Sequence, residues 1–258
     1  MTFIHNLDPV LFNLGFSQIK WYGLMYAIAF LVTYFFVRAA VKHKKFGKKL
    51  TLDDVDALMI LLVAGLIVGA RLFEVLFYNP AFYFLHPAEI IAVWHGGLSF
   101  HGGLLGMLLA TWLFCKKKKI SLLALADVLI VPLALGQALG RIGNFINAEL
   151  VGRITSLPWG VNFGGEVNAA GNSVFRHPSQ LYEAFYNLVI FSILFTIRNK
   201  KLPKGYLFGW FLTLYSVFRF FTEFVREPEV MLGPLTLGQW LNIPMFVAGV
   251  WLLFKLKK

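Results

Sequence analysis

The sequence predicts an all-α integral membrane protein: seven transmembrane helices, the N-terminus outside, the C-terminus cytoplasmic and a small periplasmic cap, in one membrane domain over 1–258. Three observations predict it. Of 258 residues, 58% are hydrophobic and only 14% charged, where soluble domains carry roughly 25% charged residues, and mean hydropathy is +0.69. Apolar runs long enough for a helix to cross about 30 Å of hydrocarbon recur along the chain, and they lack the alternation of barrel strands. Basic residues gather in alternate connections between those runs.

The elements follow in order. The start, MTFIHNLDPVLFNLG, has no basic residue before Lys20, whereas a cleaved signal peptide opens with positive charge. It reads as a short amphipathic piece lying on the membrane surface. The first span, 20–40, carries Tyr26 in its outer half, as a belt or interior tyrosine. The second, 57–78, holds Arg71 and Glu74 at i and i+3, spaced for a structural ion pair. The third, 96–115, opens WHGGLSFHGGLLG, whose two glycine pairs predict a bent or partly unwound entry. The others are 123–145, 181–197, 205–222 and 237–254. The long connection 146–180, with VNFGGEVNAAGN at its centre, forms the external cap. HPSQLYEA then opens the fifth span, with Pro178 at the helix start and Glu183 one turn in, a capping arrangement.

Orientation rests on four basic clusters. Arg38, Lys42, Lys44, Lys45, Lys48 and Lys49 follow the first span, Lys116 to Lys119 the third, Arg198, Lys200, Lys201 and Lys204 the fifth, and Lys255, Lys257 and Lys258 the last. In a seven-span chain these fall on one side, the cytoplasm by the positive-inside rule. The net charge of +11 is thereby explained by topology and contact with membrane lipids, and no nucleic-acid partner is expected. Most of the remaining cations are arginines at outer ends of spans or within them: Arg71, Arg141, Arg153, Arg176, Arg219 and Arg226. An arginine in a span costs at least about 2.5 kcal/mol on insertion scales and faces a partner or a wet cavity. Its planar fork suits phosphate, so the outer half is expected to hold an anionic group.

Two stripes sharpen that expectation. GRIGNFINAELVGR, residues 140–153, closes the fourth span, where Gln137, Arg141 and Asn144 at i, i+4 and i+7 share a helix face. Gly136, Gly140 and Gly143 lie beside it, a strip that lets another helix approach closely. Asn147, Glu149, Gly152 and Arg153 follow as the chain leaves the span. The cluster is either a capping and snorkelling edge or a ligand edge. In the sixth span Tyr215, Arg219, Glu223 and Arg226 share one face. There Glu223 either pairs structurally with Arg219 or orients it while other donors stay free for a ligand. His101, among the glycines of GGLSFHGG, sits where backbone or lipid can come close. His86, His95 and His177 are scattered without ligand spacing, so no metal and no other cofactor is expected.

These residues resemble the bacterial prolipoprotein diacylglyceryl transferases. GRIGNFINAELVGR looks like that family's signature, and GGLSFHGG, HPSQLYEA and RFFTEFVRE follow the family's order along nearly the whole chain. The resemblance implies a seven-helix bacterial inner (plasma) membrane enzyme with its site on the outer face. Such an enzyme moves the diacylglyceryl group of phosphatidylglycerol onto the lipobox cysteine thiol of a prolipoprotein signal peptide and releases glycerol phosphate. By motif it assigns Arg141, Asn144, Glu149, Gly152, Tyr26, Arg219 and Glu223 to phosphatidylglycerol binding, and His101, Arg141 and Arg219 to catalysis. Ala148 departs from the family, which often has glycine there, a change not expected to disturb the chemistry. Cys115 abuts the cytoplasmic lysine run and is not the nucleophile, which belongs to the substrate. Two other readings are weaker. A serine protease using Ser99 and His101 would need side chains two residues apart on a helix to meet. A transporter would show internal repeats, and none is visible.

Overall fold

The computed structural model describes residues 3–15, 18–228 and 230–256, so Lys257 and Lys258 of the last basic cluster lie outside the described residues. Eight α-helices dominate it, in two compact units: Met1–Thr33 with Ala126–Lys258, and Tyr34–Leu125. The boundaries fall inside α1 (Trp21–Lys42) and α5 (Leu122–Ile146). Five helical stretches among the described residues are long and apolar enough to cross a bilayer: Trp21–Lys42, Leu52–Tyr78, Leu122–Ile146, Ser179–Ile197 and Leu237–Leu256. This is a helical membrane protein. The other two expected spans are helices as well, one of 19 residues ending in lysines and one of 17.

The Tyr34–Leu125 unit is built on α2 (Leu52–Phe73) and α4 (Phe100–Lys118). Thr51 and Asp54 close a capping box at the start of α2, and Asp54 meets Lys118 at 2.5 Å. Small residues let the backbones touch: a Cβ on Gly65 would stand 2.7 Å from the carbonyl oxygen of Gly106. After α2 the helix widens into a π turn, Glu74–Tyr78, followed by α3 (Pro80–Leu85). Arg71 is buried, yet it donates to the Tyr83 hydroxyl (2.5 Å) and the Ala92 carbonyl (2.7 Å), while Glu74 accepts from Asn79 (2.6 Å). The expected Arg71–Glu74 pair does not form. The arginine instead ties the segment between α3 and α4 down to α2, because a local i,i+3 pair is worth less than satisfying a buried guanidinium. The expected unwound entry is present: residues 96–99 are not helical, and Gly97 takes φ 68° where a Cβ would lie 2.6 Å from the Tyr83 hydroxyl.

In the other unit the segment ahead of α1, expected to be amphipathic, is extended and pairs as strands. It forms β1 (Phe3–His5), parallel to β4 (Val161–Phe163), and a hairpin of β2 (Val10–Asn13) with β3 (Gln18–Lys20). Backbone pairing, of β1 with the 146–180 connection and of β2 with β3, satisfies these polar groups where a lone short segment could not. Helices α6 (Ser179–Ile197), α7 (Tyr206–Thr222) and α8 (Leu237–Leu256) follow, with the short hairpin β5 (Met231–Leu232) and β6 (Leu235–Thr236) before α8. The buried Asp127 carboxylate accepts from the backbone of Gly205 (2.7 Å) and Phe208 (2.9 Å), fixing the start of α7 to α5. The glycine strip of α5 admits α1, Gly136 against Ala29 and Gly143 against Tyr22, while Gly140 faces open space.

Candidate active site

The site grows from three helix ends in the unit that contains Ala126–Lys258: the last turns of α5, the first turns of α6 and the end of α7. Glu183 lies one turn into α6, 1% exposed, and three guanidiniums converge on it. Arg141 Nε stands 2.8 Å from its Oε2, Arg226 Nη1 donates to its Oε1 at 2.9 Å, and Arg219 Nη1 is 3.7 Å from the same oxygen. Glu223 supplies a second carboxylate. It pairs closely with Arg219, lies 3.9 Å from Arg226 Nε and accepts from the Thr236 hydroxyl at 3.0 Å. A Cβ on Gly238 would come within 2.8 Å of Glu223, so the start of α8 leaves room for that carboxylate.

Guanidiniums and carboxylates thus interleave in a poorly hydrated place, where each charge acts strongly on its neighbours. Burial grades the members. The side chains of Glu183, Arg226 and Glu223 are 1%, 6% and 7% exposed, those of Arg219 and Arg141 14% and 22%. Arg219 and Arg141 are thus the more open members of the cluster. Arg141 is held further by Nη1 donating to Asn144 Oδ1 (3.3 Å), while Asn144 Nδ2 donates to Glu149 (3.1 Å) and Asn147 Nδ2 does the same (3.2 Å).

The second half of GRIGNFINAELVGR is hydrogen-bonded to the start of α6 and to the segment after α7. Gln180 donates to the Glu149 carbonyl (2.6 Å), Ser179 to that of Leu150 (3.0 Å), and the Gly152 backbone to that of His177 (2.9 Å). Arg153 donates from its backbone to Val225 (2.8 Å) and from Nε to the Arg226 carbonyl (2.9 Å). Gly152 therefore passes between two other chain segments. Its Cβ would sit 2.5 Å from the His177 carbonyl oxygen and 2.6 Å from that of Val225. Gly152→Ala is expected to push the Arg226 segment away from Glu183, with at least a tenfold loss of activity and a lower unfolding temperature, checked by thermal scanning beside an assay. Ala148 and Leu150 both adopt left-handed backbone, φ 56° and 55°, a conformation that favours glycine and gives position 148 its physical interest. In the connection 146–180, Arg176 forks onto Glu166 (2.7 and 2.8 Å) and reaches Glu227 (3.1 Å), which lowers the Glu166 carboxyl below its ordinary value and raises Arg176. Burial lowers His177.

Of the residues singled out in the sequence, Arg141, Asn144, Glu149, Arg219 and Glu223 come together here, with Gly152 in the adjoining weave. Tyr26 lies beside Tyr22, their hydroxyls 3.0 Å apart, and Tyr22 packs against Gly143 at the end of α5. His101 belongs to the other unit, in the first turn of α4, with Nδ1 3.4 Å from the Tyr78 hydroxyl. Ser99 is the N-cap of α4 and accepts from the Gly102 backbone, a structural task that leaves the serine-protease reading without support. Glu183 and Arg226 were not among the expected site residues. Glu183 does not cap α6; it is the centre of the ion cluster. The signal for it was the absence of any charged residue from 184 to 197, which leaves a lone acid at the edge of an apolar helix in need of a cation from elsewhere.

Comparison with known proteins agrees with the motif order. The profile of the prolipoprotein diacylglyceryl transferase family matches residues 9–255. The phosphatidylglycerol–prolipoprotein diacylglyceryl transferase of Geobacter sulfurreducens is 46% identical over 255 residues, covering 97% of this chain and 95% of that protein. The enzymes of that name from Bordetella avium and Rickettsia akari are each 44% identical, over 94% and 98% of this chain and 92% and 98% of their own length. By these matches, from one end of the chain almost to the other, the protein belongs to the prolipoprotein diacylglyceryl transferase family.

Proposed function

We propose that this chain transfers the diacylglyceryl group of phosphatidylglycerol to the lipobox cysteine of a prolipoprotein signal peptide, forming a thioether and releasing glycerol phosphate, the first step of lipoprotein maturation. The observation that carries the reading is the pair of partly open guanidiniums, Arg141 and Arg219, both held by the buried Glu183 carboxylate. The names of the relatives supply the two substrates, phosphatidylglycerol and prolipoprotein.

In the reaction the substrate thiolate attacks the glyceryl carbon bonded to a phosphate oxygen. The new S–C bond forms as the C–O bond breaks, and its electron pair stays on that oxygen, so negative charge grows on the departing phosphate. Arg141 and Arg219 stabilise that charge; Glu183, Glu223, Asn144 and Glu149 fix their orientation. Tyr26 and Gly152 shape the lipid's surroundings. The thiol must lose its proton, and a free thiol near pKa 8.5 does so more readily beside positive charge. His101 is the proposed base. Neither step calls for a metal or another cofactor.

We place the protein in the bacterial inner membrane with seven spans, α1, α2 with its π turn, and α4 to α8, the N-terminus outside and the site toward the outer face. The basic clusters support this, as does the cytoplasmic end of α4, where Lys116 lies over the Trp112 ring at 5.2 Å with its charge free to reach the interface. Cys115 is buried at that same end, so Cys115→Ser is expected to keep at least about half of wild-type activity; complete loss would overturn the assignment of the nucleophile to the substrate. The function itself is tested by incubating purified protein with phosphatidylglycerol and a lipobox peptide. A diacylglyceryl thioether on the cysteine peptide, absent when serine replaces that cysteine, is expected.

A further inference from the structure

We infer that Tyr186 donates a hydrogen bond to an ester carbonyl of the diacylglyceryl donor and so selects diester lipids; this rests on the function proposed above. Glu183, Tyr186 and Asn187 stand at i, i+3 and i+4 on the inward face of α6, a face continued by Ile190 and Leu194, both fully buried. Tyr186 thus lies about 4.5 Å further along the helix than Glu183, on the hydrocarbon side of the arginine layer. Its residue is 4% exposed, and its hydroxyl has no hydrogen-bond partner among the described residues. The ring is fixed. It stacks on Phe218 at 5.5 Å with an interplanar angle of 4° and meets Tyr215 edge-on at 5.9 Å. The hydroxyl therefore cannot turn away to find water.

A buried, immobile hydroxyl with no protein partner is costly unless a ligand completes it. The chemistry of a phospholipid names that ligand. Whichever way the lipid enters, a phosphate held by Arg141 and Arg219 puts the two ester groups of its glycerol on the hydrocarbon side, at the level of Tyr186. Ester carbonyls only accept hydrogen bonds, and a phenol donates one. Asn187 Nδ2 donates to the Glu183 carbonyl at 2.8 Å, and its Oδ1, without a hydrogen-bond partner among the described residues, can only accept and so does not compete for an ester carbonyl. Tyr186 is accordingly a binding residue that reads the linkage between glycerol and acyl chain, a part of the donor that no bond-making step involves.

The test uses that separation. In a diether analogue of phosphatidylglycerol the reacting carbon and the phosphate are unchanged, so the lipid remains a chemically competent donor without the carbonyls. Wild-type and Tyr186→Phe proteins are reconstituted in vesicles of each lipid and assayed with one lipobox peptide. Tyr186→Phe is expected to lower kcat/KM for the diester about five- to tenfold, the worth of one neutral hydrogen bond, and to leave the diether value unchanged. An equal loss on both lipids would overturn the inference by making the hydroxyl structural, and no loss on either would overturn it by leaving it a site for bound water. Wild-type protein that transfers from neither lipid would instead sink the proposed function, and this inference with it.

Discussion

Glu183→Gln is expected to destabilise the protein by about 3 kcal/mol and to reduce transfer to background. The stability part follows from removing one partner of a buried ion cluster, which costs about 3–5 kcal/mol because the remaining charges stay buried without compensation. Glutamine keeps an acceptor oxygen and the shape, which sets the expectation at the low end. Three guanidiniums, Arg141, Arg219 and Arg226, would then lose a shared counter-charge, and Arg141 its 2.8 Å contact. The activity part follows because an arginine free to swing no longer presents its fork to a phosphate in a fixed place. The denaturation midpoint and the transfer rate should be measured together. Glu183→Asp keeps the charge while shortening the reach, so it is expected to recover most of the stability and little of the activity. Wild-type rates in Glu183→Gln would remove the carboxylate from the account.

Arg141→Lys should separate the two effects the other way. Arg141 is the most open of the three arginines, and a lysine retains the charge opposite Glu183, so the unfolding temperature should move little. A lysine is a point charge, however, and cannot bond Glu183 and Asn144 while also offering a planar pair of donors to phosphate. Loss of one such donor from a transition state costs on the order of a hundred- to a thousandfold in rate, and that loss in kcat is expected here. A variant as active as wild type would mean that Arg141 serves only as a counter-ion to Glu183.

Much of this was legible before any coordinates, for a physical reason. The hydrocarbon imposes long helices, and a helix imposes a 3.6-residue period, so Arg141 with Asn144 and Arg219 with Glu223 declare shared faces in one dimension. What escaped depends on contacts between distant segments. The residues of β1 have no partner until β4 supplies one far along the chain, so their strand pairing could not be read locally. Arg71 and Glu74 have ideal spacing for each other, but Tyr83, Ala92 and Asn79 offer them better-placed partners. Glu183 has the spacing of a capping residue, and only the assembled helix ends reveal three arginines around it. Gly152 is conspicuous in the motif, yet its crossing between the His177 and Val225 segments needs all three strands of chain to be seen. In each case local pattern identified a polar group with unmet needs and tertiary structure decided who met them.

The central claim is that the arginine cluster stabilises phosphate as it leaves carbon. The fate of the phosphorus tests it most directly. Phosphatidylglycerol labelled at phosphorus, incubated with the purified protein and a lipobox peptide, should yield one labelled glycerol phosphate for each thioether formed, with no label on the peptide, and both products should fall together in Arg141→Lys. Label carried onto the peptide, or thioether formed at an unchanged rate by Arg141→Lys, would contradict the account.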